Sequence, residues 1–75
     1  MFIYKINVME SLAEKGFTAN RLRKEKILSE ATMQNIRHGK NITLETLNIL
    51  CVILRCQPSD IIEIQPTDAE KIKFF

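Results

Sequence analysis

The sequence predicts a mainly α-helical domain: five short helices, with an apolar segment near each end pairing as a small two-stranded sheet. Three observations predict it. Apolar residues recur at three- and four-residue spacing through most of the chain, the period of an amphipathic helix. The principal runs follow Asn, Thr or Ser, side chains that accept hydrogen bonds from the first free amides of a helix. The two glycines, Gly16 and Gly39, fall just past the ends of runs, where helices commonly stop in a left-handed residue.

Phe2-Ile3-Tyr4-Lys5-Ile6 is β-branched and aromatic, which predicts a strand over 2–6. Asn7 is placed as an N-cap, with Glu10 at capping-box spacing. Val8, Met9, Leu12 and Ala13 then carry the helical period up to Gly16, giving a helix over 8–15. Thr18 caps a second helix over 19–26, anchored by Leu22. Ile27-Leu28 is too short and too apolar for a loose loop and predicts a tight buried turn. Ser29 caps a third helix over 30–38, with Met33 and Ile36 on one face and Gly39 as the stop. Thr43 caps a fourth over 44–55, whose core stripe is expected to be Leu44, Leu47, Leu50, Cys51 and Leu54. A last short helix is predicted over 59–62 and a strand over 62–65, paired with the first because neither can satisfy its backbone groups alone. The division expected is a domain over 1–65 and a loosely held polar tail over 66–75.

Composition narrows the function. With 75 residues, 45% hydrophobic and 27% charged, the chain is expected to be one ordinary globular domain. Its longest nearly uninterrupted apolar stretch, Ile49 to Leu54, is far short of the roughly 20 residues that span a bilayer. No secretory leader is visible at the start. A cytoplasmic, nucleoid-associated protein of a bacterial or phage-like setting is expected, with no membrane, cofactor or small-molecule ligand. Cys51 and Cys56 do not form a secreted disulfide framework. Nor do they read as a metal site, since His38, the only histidine, is distant and no further Cys exists. Cys51 reads as a small core residue. With one His and two Gly, both spent as helix stops, there is no phosphate-cradling loop and no nucleophile–base pair, so the chain is not expected to be an enzyme.

The net charge of +2 is unevenly spread. Between 21 and 40 stand Arg21, Arg23, Lys24, Lys26, Arg37 and Lys40 against Glu25 and Glu30, while the last twenty residues are acidic on balance. Such a distribution suits a polyanion-binding face, although solvated helix surface looks the same in composition. The pattern around the turn at Ile27-Leu28 points further. Two short helices held by one small core of Leu22, Leu28, Met33 and Ile36 make a helix-turn-helix. Its second helix leaves Glu30, Ala31, Thr32, Gln34, Asn35 and His38 facing outward, groups able to meet base edges in a DNA major groove.

At these residues the chain resembles the phage-repressor type of helix-turn-helix, the Cro and lambda-repressor-like (XRE) family, and within it the short regulators that begin with a strand. Leu22, Ser29, Met33, Ile36 and Gly39 stand at the family's spacing. Thr43-Leu44-Glu45-Thr46-Leu47 resembles its fourth-helix opening, and the run from Leu54 to Glu63 its exit. The resemblance covers residues 2–64 and departs at two places. Arg23 stands where a small Ala is usual, and Ile27 stands at the turn where Gly is usual. Since a β-branched residue strongly resists positive φ, this turn is expected to take a different backbone path.

The resemblance implies a lambda-repressor-like DNA-binding domain, a transcription regulator and repressor that puts its third helix into the major groove of double-stranded DNA. It places Glu30, Ala31 and Asn35 on base edges, with Ser29, Thr32 and Gln34 beside them. Asn can satisfy adenine N6 and N7 together, and Glu can accept from cytosine N4. Glu30 is equally well read as a first-turn acid favoured by the helix dipole. Candidate phosphate contacts are Arg21, Lys24, Arg37, His38 and Lys40, with the free amides near Thr18 and Asn20. Ile49, Val52 and Ile53 form a second apolar strip on helix four, suited either to a homodimer or to the rival reading, a protein-interaction module such as an antitoxin or antirepressor.

Overall fold

The structure is a computed structural model describing residues 1–75. Its elements are β1 (Phe2–Tyr4), α1 (Val8–Glu14), α2 (Ala19–Lys24), α3 (Glu30–Arg37), α4 (Leu44–Leu54), α5 (Pro58–Ile61), β2 (Ile62–Ile64) and α6 (Asp68–Phe74). The chain is mainly helical, as the sequence predicts, and both expected strands are present.

Each predicted cap is formed. Asn7, Thr18, Ser29 and Thr43 accept from the backbone N–H three residues on, at 3.2, 3.3, 3.1 and 3.1 Å. Glu10 does not return the bond to Asn7, so that capping box is half formed.

The C-terminal ends share one device. After α1 the Gly16 and Phe17 N–H groups donate to the Ala13 and Leu12 carbonyls, both at 2.9 Å, with Gly16 at φ +86°. After α3 the Gly39 and Lys40 N–H groups donate to Ile36 and Asn35, with Gly39 at φ +68°. This is the Schellman closure, in which one left-handed residue lets the chain turn back over orphan carbonyls. The closures of α2 and α4 also use a left-handed residue, but a side-chain-bearing one: Lys26 at φ 56° and Arg55 at φ 54°.

Lys26 resolves the turn at Ile27. Its N–H reaches the Arg23 carbonyl at 3.2 Å and the Ile27 N–H reaches the Leu22 carbonyl at 2.9 Å. The left-handed residue of the turn is Lys26, and the β-branched Ile27 is spared it. A left-handed residue with a Cβ is strained by roughly 1–2 kcal/mol, whereas glycine is not. Glycine also frees the unfolded chain, by roughly 0.4–1 kcal/mol. Lys26→Gly is therefore expected to stabilise the protein by roughly 0.5–1 kcal/mol, and so raise its melting temperature by a few degrees. A calorimetric melt with no rise would contradict the strain.

The two strands pair antiparallel, Phe2 opposite Ile64, Ile3 opposite Glu63 and Tyr4 opposite Ile62. The ladder is flanked by bonds from the Lys5 N–H to the Ile61 carbonyl and from the Gln65 N–H to the Met1 carbonyl, both 2.7 Å. Tyr4 also donates its hydroxyl to the Lys40 carbonyl at 2.9 Å, fixing the exit of α3 to the sheet. Partial burial of Tyr4 pushes its phenol pKa up.

The core gathers Val8 and Leu12 of α1, Leu22 of α2, Leu28 of the turn, Met33 and Ile36 of α3, Leu47 and Leu50 of α4, and Ile61 of α5. Every element from α1 to α5 thus contributes an apolar side chain to one small interior, and Leu22, Leu28, Met33 and Ile36 are buried as the sequence predicts.

Two expectations are corrected. Leu44 is 84% exposed, so the buried stripe of α4 starts at Leu47. Leu44 lies in the first turn of α4, ahead of the part of the stripe that meets the core. Ile49 and Ile53 pack against the core, leaving only Val52 of the expected outer strip strongly exposed, at 68%. Val52 projects away from Leu50 and Leu54, two residues to either side on the helix. The segment after Pro66, expected as a loosely held polar tail, forms a sixth helix, α6, which buries no residue. Thr67 accepts from the Glu70 N–H at 3.1 Å and Glu70 accepts from the Thr67 N–H at 2.9 Å, a complete capping box. The Met1 ammonium also donates to Glu70, and this bond above all holds the carboxyl down at about 2.

Candidate nucleic-acid interface

α3 presents two unlike sides because its period is helical. Met33 and Ile36 are buried, so Ala31, Gln34, Asn35 and His38 project on the side away from them. Ala31, Gln34 and His38 are exposed and Asn35 is half-buried. Glu30 and Arg37 border this outer face on one side and Thr32 on the other. Ser29 stands at its entry, where its hydroxyl accepts from the Thr32 N–H and donates to Thr32 Oγ1 at 2.9 Å. Of the expected base-edge residues, Ser29, Glu30, Thr32 and Gln34 are thus tied into local hydrogen bonds. Asn35 has no side-chain partner within the chain, so both its amide groups are available to a base.

Glu30 is the most heavily bonded. Arg23 Nε donates to its Oε2 at 2.9 Å, Gln34 Nε2 donates to its Oε1 at 3.0 Å, and Arg37 lies 3.8 Å away. Together these donors hold its carboxyl below the usual carboxylate range, with Gln34 contributing most. The carboxylate at the mouth of α3 is therefore matched by two guanidinium groups and does not face a phosphate backbone as a bare negative charge. Arg23, one of the family departures, was not singled out in the sequence as a site residue. It bridges α2 to α3 across the turn, seven residues from its partner, a spacing that no single-helix rule marks.

The expected phosphate ligands divide the same way. Arg21 is engaged at home: Nε donates to Glu25 at 2.7 Å, a terminal nitrogen donates to the Gly16 carbonyl at 3.2 Å, and the guanidinium lies 4.1 Å over the Phe17 ring. Thr18 spends its hydroxyl capping α2. Arg37 contacts Glu30. Asn20, Lys24, His38 and Lys40 are exposed, and none of the four pairs with an acid, nor does Lys26. Both acids of the basic segment, Glu25 and Glu30, are thus neutralised by arginines, and the uncompensated charge falls to lysines at and beyond the C-terminal ends of α2 and α3.

A protein family described as Cro/C1-type HTH DNA-binding domain matches residues 7–67. No curated protein and no solved structure matches the chain significantly.

Proposed function

Because the chain belongs to the Cro/C1-type helix-turn-helix DNA-binding domain family, we propose that it reads double-stranded DNA sequence-specifically with α3 in the major groove. The observation that carries this reading is the outer face of α3, where Ala31, Gln34, Asn35 and His38 project away from the core and Asn35 is unbonded. In this reading Asn35 pairs with an adenine and Gln34 lies beside it. Ala31 leaves room for a base edge or a thymine methyl, and Ser29, Glu30 and Thr32 meet the neighbouring step. Asn20, Lys24, Lys26, Arg37, His38 and Lys40 take phosphates, with the amides after Thr18. The DNA-binding unit is 1–65, with 66–75 attached to it. Regulation is by occupancy, hence repression: a bound domain keeps other proteins from the groove it fills.

The test compares two substitutions. Asn35→Ala is expected to cost on the order of 1–3 kcal/mol at the preferred site and little on random DNA. Lys24→Ala is expected to weaken both DNAs alike and to lower the salt slope by about one unit. Gel-shift titrations at several salt concentrations read both effects. If Asn35→Ala weakens both DNAs equally, Asn35 does not read sequence.

A second reading is supported by α4, whose Leu44 and Val52 stand exposed beside a groove of about 400 Å³. We read this face as a homodimer contact, with Val52 retained from the strip expected in the sequence and Ile49 and Ile53 supporting it from beneath. Sedimentation as a monomer at high concentration removes the dimer. A wild type that binds no DNA even at low salt leaves the face to a different protein, and the domain to an interaction role.

A further inference from the structure

Gln34 projects from the outer face of α3 with its amide turned to a fixed charge. Its Nε2 donates to Glu30 Oε1 at 3.0 Å, one turn back on the same helix. Such a pair is weak by itself, since both side chains are exposed. Here the carboxylate is anchored from a second element. Arg23 of α2 brings two nitrogens to the other oxygen, Oε2: Nε at 2.9 Å and a terminal nitrogen at 2.8 Å. With Oε2 so held, Oε1 is left to Gln34.

The chemistry of the pair settles which way the amide points. An ionised carboxylate only accepts hydrogen bonds, so the atom that faces it is the amide nitrogen. The donors around Glu30 keep it ionised, its carboxyl lying below the usual carboxylate range. An amide turned over would set its carbonyl oxygen against that negative charge. Gln34 therefore keeps one N–H and its carbonyl oxygen for an outside partner, the other N–H being spent. In the major groove adenine offers an acceptor, N7, beside a donor, N6, whereas guanine offers two acceptors, N7 and O6. One donor and one acceptor fit the adenine edge. Against guanine the same pair would set oxygen against oxygen. Resting on the reading of α3 as the groove helix, we propose that Gln34 reads an adenine of its own, and that Arg23 and Glu30 are positioning residues that fix its amide against guanine. Arg23 does not touch the base; it acts through Glu30.

The test is a selection of duplexes from a randomised pool by the full chain, then competition titrations with all four bases at each position of the selected site. Gln34→Ala locates the position that Gln34 reads, where the base preference collapses. The wild type is expected to prefer adenine over guanine there by roughly 5–150-fold, the usual advantage of a bidentate base contact. Arg23→Met keeps an apolar stem and drops the charge, and is expected to remove most of that preference. Arg23→Lys, which leaves a cation opposite Glu30, is expected to keep part of it. Preferences at the other positions should persist, because a loss of phosphate affinity is uniform across sequences and cancels in a ratio of bases. A tilt of α3 would move them all. Arg23 is exposed, so neither variant removes core area, and circular dichroism melts check that both fold. A base other than adenine at the Gln34 position overturns the proposal. So does Arg23→Met leaving the preference intact, or eroding every position alike. A wild type with sharp preferences that Gln34→Ala does not move sinks this proposal alone; a wild type with no base preference sinks the DNA reading with it.

Discussion

Leu22→Ala is expected to remove about 2–5 kcal/mol of stability, the range for deleting a fully buried leucine side chain. A chain of 75 residues has a total of only about 4–11 kcal/mol to lose. Much of the population should therefore be unfolded under mild conditions. Two features place this residue toward the upper end. Its side chain is 0% exposed in a core of nine residues, so little neighbouring mass can collapse into the cavity. Its carbonyl also receives the Ile27 N–H at 2.9 Å and the Leu28 N–H at 3.4 Å, so the cavity opens directly under the turn that joins α2 to α3. Urea denaturation followed by circular dichroism measures the loss. A cost below about 1 kcal/mol, the size of a typical surface change, would mean that α2 is not seated as described. DNA affinity should fall only in proportion to the folded fraction lost, because Leu22 touches no solvent.

Glu30→Gln is expected to move specific and random DNA binding in opposite directions. The carboxylate now holds Arg23 and, more loosely, Arg37. Removing its charge takes the chain from a net charge of +2 to +3, by simple addition of one, and frees two guanidinium groups close to the proposed DNA face. Each new phosphate contact steepens the salt dependence by about 0.9 in log–log slope, so a change of one to two units is expected. Binding to random DNA should tighten on the order of tenfold at low salt. If Glu30 accepts from a cytosine, the preferred site should lose about 1–3 kcal/mol at the same time. Discrimination then falls by both amounts. Titrations of specific and random duplexes at several salt concentrations separate the two parts. An unchanged slope on random DNA would mean that the released arginines do not reach phosphates.

Much of the fold was legible because its signals are local. Asn7, Thr18, Ser29 and Thr43 announce helix starts through side-chain chemistry, and Gly16 and Gly39 announce stops through backbone freedom. Lys26 and Arg55 carry no such announcement. Lysine and arginine seldom adopt positive φ, yet both stand there, at 56° and 54°. The exposure of Leu44 was hidden because periodicity assigns a residue to a helix face but does not say whether anything stands opposite. Thr67 and Glu70 of the α6 segment have capping-box spacing, but a polar, charge-rich segment with no core face reads first as a tail. At the interface, the sequence marked the outward residues of α3. It did not mark how firmly Glu30 is held, because that depends on Arg23 across a turn.

The antiparallel seam between β1 and β2 joins residues from opposite ends of the described chain, whereas the helix closures join residues five apart. Contacts so distant in sequence close late, after the local turns have formed, and a ladder of three residues is easily the first part to open again. The opening is not confined to the edge. When β1 lifts, the Tyr4 hydroxyl leaves the Lys40 carbonyl, and the chain just beyond α3 loses its tether to the sheet. Brief breathing of the termini is thereby transmitted to the far end of the helix assigned to the groove, so that backbone amides around Gly39 and Lys40 should exchange with solvent on the same clock as those of Ile3 and Glu63.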